Sequence, residues 1–489
     1  MPTSLPGGWD SGSQDPASQI APLWQVILLP ALAGGLGWGI RGQYGHETGA
    51  MIAGLLVGLV LVLLLRPSAA ALPAARAVAL CAAAIGFGGA MTYGQTVGLT
   101  QNPEMVGNWA ALRWGMLGLG IKGALWIGFA GAFLGMGLSG VRYHPREIAM
   151  VLGGLLLLML LGMWALNLPF DPANRSLPRF YFSANWSWYP TAGEELKPRR
   201  EMWGGFLFAL AGLVFYLGWF RKDRLARNLA FWGCLGGLGF PVGQSLQAWH
   251  AWNRDLFREG FLADFDKVIN WWNFMETTFG LVMGAALGLG LWLNRRRIGA
   301  LDAPGEVTMK PAAEFGLLAV HLSLLCLWEF AELAPLNAAG ELGIPLSLIP
   351  LIGIVGGRYW PYLMVLPVVA LPILGKTATG MGFPPSTSVV GAGLLVGLPF
   401  LLLTFLAIRF SRGAVVRPET RAQDFLGPSL LIATWLYFGL NYAFFEFPWP
   451  WLTWTTRTAN AIVFTICSIA LTWPAFKKAT PTVHPGPSP

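Results

Sequence analysis

The chain has 489 residues, 55% hydrophobic and only 11% charged, with a mean hydropathy of +0.55. Soluble domains carry about a quarter charged residues, so a water-soluble fold is excluded. The formal charge of +8 is not read as a nucleic-acid footprint: Lys and Arg gather in the cytoplasmic loops of membrane proteins without any anionic partner.

Residues 1–20 are rich in Ser, Gly and Pro and hold no Lys or Arg. They are expected to be a disordered cytoplasmic tail and not a signal peptide, with 476–489 a second such tail. Between them, 21–475 reads as one transmembrane domain in three parts, 21–140, 148–293 and 315–475. The fold class expected is all-α, a polytopic membrane bundle of about 14 helices. Runs long enough to cross a bilayer fall at 22–40, 49–65, 75–99, 109–138, 148–168, 203–220, 228–249, 270–293, 315–334, 343–357, 360–375, 388–408, 426–446 and 458–475. The tenth and eleventh are short and contain Pro345, Pro350 and Pro367, which suits half-helices.

Nineteen of the 32 Lys and Arg follow even-numbered spans, including every short basic loop. That rim is therefore expected to be cytoplasmic, with both termini inside a plasma (inner) membrane. It is expected to carry cations and little else. The other rim has long loops at 169–202 and 250–269, rich in Trp and Tyr, the second suited to an amphipathic surface helix.

The most informative stretch joins the first two spans: G-W-G-I-R-G-Q-Y-G-H-E-T-G-A, from Gly37. A turn between two helices needs no Arg41, Gln43, His46 and Glu47 within so few residues, and the intervening glycines let backbone approach a ligand or a neighbour closely. Further polar residues gather at the same ends of spans: Tyr93, Gln95, Asn108, Trp109, Gln244, Trp271 and Asn273, with Glu329, Glu332, Lys376 and Glu446 beyond them. Arg41, Gln43, His46 and Glu47 with the seven residues from Tyr93 to Asn273 form the expected substrate-binding set. Lys122 lies deep in the fourth span, where an unpaired ammonium costs several kcal/mol.

Spans three and four resemble spans seven and eight, running in the same direction. Gly94-Gln95 matches Gly243-Gln244, Asn108-Trp109 matches Asn270-Trp271, and G-A-F-L-G-M-G-L from Gly131 resembles G-A-A-L-G-L-G-L from Gly284. A parallel repeat is the expectation. It sets Glu276 opposite Gly123, beside Lys122, so these two charges are expected to lie near each other, as a coupling site or as a structural ion pair between helices.

A metal centre is not expected: His46, Glu47, His250 and Glu276 have none of the usual ligand spacings. His321, alone in an apolar span, suits a core histidine. Cys81, Cys234, Cys326 and Cys467 lie far apart and suggest no disulfide framework. Gly128, Gly131 and Gly135 suit close helix packing.

No phosphate-cradling G-x-x-x-x-G-K-[ST] loop is present, so direct ATP drive is not expected. The function expected is secondary transport of a small polar solute. Indoles beside amides suit a sugar or sugar derivative, coupled to protons or sodium, with no other cofactor and no nucleic-acid partner. The alternative is a membrane transferase using a lipid-linked or polar donor, with His46 or Glu47 as general base and Arg41 holding an anionic group.

Overall fold

The computed structural model describes residues 21–476 except 90, 300, 302–304, 332, 334–335, 337–338, 341, 418–419 and 446–453. Both expected tails, Glu332, Glu446 and the side chain of Glu329 lie outside the described residues. Among the described residues every regular element is a helix and there is no β-strand. In a bilayer each backbone N–H and C=O needs a partner within its own segment, and a helix supplies one.

The helices are α1 (Leu23–Arg41), α2 (Glu47–Leu65), α3 (Ala71–Gly88), α4 (Gly94–Gln101), α5 (Trp109–Leu138), α6 (Pro145–Leu166), α7 (Trp203–Phe220), α8 (Arg224–Gly237) and α9 (Gly239–Trp252). They continue as α10 (Gly260–Asp266), α11 (Trp271–Leu293), α12 (Pro311–Phe330), α13 (Leu346–Gly356), α14 (Trp360–Gly380), α15 (Ser388–Val416), α16 (Ala422–Phe445) and α17 (Thr458–Phe476). Among the described residues eleven helices are long and apolar enough to cross a membrane.

Three of the fourteen expected spans are not among those eleven. The seventh is split at Leu238 into α8 and α9, each 14 residues. The tenth reduces to the short α13. The thirteenth is the 24-residue α16, whose ends carry Asp424 and Asn441. The expected third span also breaks: α3 stops at Gly88 and the eight-residue α4 begins at Gly94. The eleventh is not a half-helix. The segment α14 runs on through Pro367 by widening into a π turn at Met364–Val368, which accommodates the missing N–H. The 250–269 loop forms a 3-10 turn at Arg254–Phe257 and the seven-residue α10, not one long surface helix.

Helix α2 is buried from Thr48 to its end, and no side chain beyond Thr48 is polar. Two glycine seams hold the bundle around it. On α11, a Cβ at Gly280 would stand 2.0 Å from Gly34 O, and one at Gly284 would stand 1.9 Å from Pro30 O. On α5, a Cβ at Gly131 would stand 2.1 Å from Leu229 O, and one at Gly237 of α8 would stand 2.1 Å from Gly123 O. Backbone thus meets backbone, the small-residue packing expected of membrane helices. Both Asn-Trp landmarks are helix starts: Asn108 accepts from Ala111 N–H at 3.0 Å and Asn270 from Asn273 N–H at 2.9 Å. That local capping accounts for each pair on its own.

Candidate functional site

The α1/α11 seam runs antiparallel, so it brings Arg41, the last residue of α1, to the first turns of α11. Arg41 Nη2 donates to Glu276 Oε1 at 2.6 Å, and both side chains are 2% exposed. Trp272 Nε1 donates to the same oxygen at 2.9 Å, and Asn273 Nδ2 donates to Gly39 O at 3.0 Å. Gly42 lies close by: a Cβ there would stand 3.1 Å from Glu276 Oε2, which would have to shift by a few tenths of an ångström.

Three rings surround the guanidinium: Trp38, Tyr93 and Trp126, at 5.0, 5.3 and 5.8 Å from Arg41 Cζ. Their π faces favour a cation that has left water. Trp38 and Trp126 are held in turn by bonds to Met283 Sδ and Ile85 O.

His46 closes the group. Its Nδ1 lies 3.2 Å from Arg41 Nη1, and its ring is 4.7 Å from that of Tyr93. A guanidinium can only donate, so Nδ1 accepts and the ring proton sits on Nε2. Burial, then the charges of Arg41, Arg199 and Lys376, lower the His46 pKa from 6.5 to about 3. The imidazole is therefore neutral, and its one lone pair is engaged. The unfolded chain takes up this proton near 6.5 while the folded one resists until about 3, so stability falls as pH drops through that window. His46→Asn, which keeps an acceptor but cannot titrate, should flatten that part of the loss in thermal melts recorded from pH 7 downward. An unchanged slope would mean that His46 is not held neutral.

Lys376 reaches the same group from α14, donating to Tyr44 O at 3.2 Å and Thr48 Oγ1 at 3.3 Å. Gly45 has φ +84°, a conformation that favours glycine, and a Cβ there would stand 3.1 Å from Lys376 Nζ. Four buried polar atoms in this region have no hydrogen-bond partner among the described residues: Arg41 Nε, Glu276 Oε2, Asn273 Oδ1 and Tyr93 Oη.

The expected pair of Lys122 with Glu276 does not form. Lys122 Nζ instead donates to Glu201 Oε1 at 2.7 Å, Thr92 O at 2.6 Å and Thr96 Oγ1 at 2.8 Å. The reason is helix pairing. Glycines lock α11 against α1, which gives Glu276 to Arg41, while α5 packs on α8 and receives Glu201 from the 169–202 loop. That loop is not a surface feature throughout, because Tyr181, Phe182, Ser183 and Glu201 are each 3% exposed or less. Glu201 Oε2 accepts from Phe182 N–H and Oε1 from Ser183 Oγ, at 2.8 and 2.9 Å. Sequence reasoning missed Glu201, Trp38 and Trp126.

Of the other expected residues, Gln95 clamps the loop, donating to Lys197 O at 3.1 Å and accepting from Arg199 N–H at 3.2 Å. Gln244 Nε2 donates to Thr100 Oγ1 at 2.8 Å. Glu47 is half-buried beside Gly89, and Gln43 is exposed. Asn108 is a helix cap, and Trp109 lies exposed against Trp252 with ring centroids 4.9 Å apart. Trp271 joins a separate cluster in which Asp266 Oδ1 meets Trp271 Nε1 at 2.7 Å and His250 Nε2 at 2.9 Å. Of the expected substrate-binding residues the structure brings together Arg41, His46, Tyr93 and Asn273, joined by Glu276 from the expected charge pair.

His321 is buried against the Trp360 ring. No group of three or more His, Cys, Asp or Glu that could hold a metal occurs among the described residues. No protein-family model, curated protein or solved structure matches the chain.

Proposed function

We propose that this multi-pass membrane protein binds a small polar solute at the Arg41 rim and carries it across the bilayer as a secondary transporter. The observation that carries the reading is the buried Arg41–Glu276 pair with unpartnered polar atoms around it. An ion pair so enclosed is weak evidence for stability alone, and ionisable groups within a bilayer are by default functional. In this reading solute and Glu276 compete for Arg41, and Glu276, once released, takes up a proton and couples transport to the proton gradient. Sodium is the other candidate ion. Trp109 and Trp249, 60% and 43% exposed, suit a sugar derivative approaching from that rim. The basic rim, with both termini, would face the cytoplasm of a plasma membrane. The Gly-Gln and Asn-Trp parallels leave a parallel repeat as part of the same proposal.

The transferase reading keeps one favourable observation: Lys122 is tied to the loop at this rim and marks no deeper polar route. Against it, His46 has its lone pair on Arg41 and a pKa of about 3, a poor general base at neutral pH. Uptake of a labelled panel of sugars and sugar derivatives into proteoliposomes with an imposed pH gradient tests the proposal. Tyr93→Phe, which removes one unpartnered hydroxyl, should raise KM severalfold without lowering the melting temperature. No uptake of any solute, with group transfer from a lipid-linked donor instead, would establish the transferase.

A further inference from the structure

The basic rim, expected to carry cations and little else, is chemically built. Asp223 caps α8 through Ala226 N–H and accepts from Ser139 Oγ and Tyr143 Oη, both at 2.7 Å. Beside this network lies a cavity of about 240 Å³ between α3, the end of α5, the 140–144 turn, Leu301 and residues 305–308. Its wall is apolar at Leu80, Met136 and Val355, and its mouth carries Arg142 and Glu306.

Arg76 is the one charged residue of α3 and lines this cavity. Its Nε donates to Ile354 O at 3.1 Å, and its Nη2 donates to Glu306 O at 3.1 Å and Gly357 O at 3.2 Å. All three acceptors are carbonyl oxygens, and the Glu314 and Glu306 carboxylates act on the guanidinium only through space, without a hydrogen bond to it. Its Nη1 makes no hydrogen bond among the described residues and borders Gly305, where a Cβ would stand 3.3 Å away. The Glu306 carboxylate is matched by Arg142 at 3.3 Å, with both side chains more than half exposed. The lining thus holds two cations, Arg76 and Arg142, against the one carboxylate of Glu306, and keeps a net positive charge.

We propose that this cavity holds the phosphate of a small amphiphile on Arg76, with its apolar part against Leu80, Met136 and Val355. The space falls below the roughly 300–1,000 Å³ of drug-sized pockets, which suits a head group better than a nucleotide. Basic pockets between membrane helices take anionic head groups by this chemistry, and the two N–H groups of Arg76 Nη1 remain to donate charge-assisted hydrogen bonds to a phosphate oxygen. The source is either the head group of an anionic lipid or a free phosphate ester. The inference is independent of transport at the Arg41 rim.

The test uses the full chain in nanodiscs of phosphatidylcholine, with or without phosphatidylglycerol, and separately titrated with glycerol 3-phosphate. Native mass spectrometry reads retained ligand and thermal unfolding reads affinity. Wild type should retain the anionic lipid or the phosphate ester, and the arm that binds identifies the source. Arg76→Gln should weaken retention at least tenfold. Because Arg76 also ties α3 to the end of α13, Met136→Trp serves as a second variant, filling the cavity while leaving the cation in place, and should also abolish retention. Binding unchanged in both variants, or no binding of either ligand to wild type, overturns the proposal.

Discussion

Glu276→Ala is expected to cost about 3–5 kcal/mol, the usual penalty for removing one partner of a buried ion pair. The loss is large because Arg41 cannot turn to water: its side chain is 2% exposed and boxed by Trp38, Tyr93 and Trp126. What remains to it, Gly45 O at 3.4 Å and His46 Nδ1 at 3.2 Å, is neutral. Cation–π contact offsets part of the penalty, about 2 kcal/mol when desolvated. The double variant Arg41→Met/Glu276→Leu should recover most of the stability, since apolar groups of similar volume replace buried pairs at little cost. Thermal unfolding of the purified protein in detergent checks both. If Glu276→Ala melts with wild type, water reaches the pair and the enclosed site does not exist.

Glu201→Ala should cost a similar amount, about 3–5 kcal/mol for the same reason, with a different local signature. Glu201 holds Lys122, Phe182 N–H and Ser183 Oγ together, so its loss frees the buried turn of the 169–202 loop as well as the ammonium. Hydrogen exchange at residues 181–185 should rise strongly in Glu201→Ala, whereas in Glu276→Ala those amides should keep their protection. Glu201→Gln, which can still accept from Lys122, should show an intermediate loss. Equal protection of 181–185 in wild type and Glu201→Ala would place that loop's anchorage elsewhere.

The helical membrane character was legible because long apolar runs separated by short basic loops have no place in a fold surrounded by water. So was the centre of the site. Arg41 and His46, set among glycines in one short connection, do converge, because α1 and α2 meet there and Gly42 and Gly45 make way for Glu276 and Lys376. The ion-pair partners were not legible. They depend on which helices touch, and that is decided by glycines spaced along α1, α5, α8 and α11, whose choice of neighbour no periodicity reveals. Glu201 was hidden for another reason. Its run, E-E-L-K-P-R-R-E, reads as solvated charge, and only the aromatic Tyr181-Phe182 before it hints at a segment that dives inward. The expected span limits broke at G-F-G-G-A-M-T-Y-G, which shortened the third span, and at G-G-L-G-F-P, which split the seventh, the same glycine-rich stretches that carried the resemblance between spans. Glycine there ends helices at Gly88 and near Leu238 as well as lining seams.

The two glycine seams also divide the molecule mechanically. Helices whose main chains touch, as α1 does α11 and α5 does α8, cannot slide or tilt past each other without driving carbonyl oxygens into Cα atoms. They make a stator. In the transport proposed above, rocking that exposes Arg41 alternately to the two faces would fall to helices outside the seams, above all α15, only 11% of whose apolar window is buried and whose packing is chiefly on α14. Lys376, at the end of the neighbouring α14, would be the handle through which that rocking is felt at the ion pair.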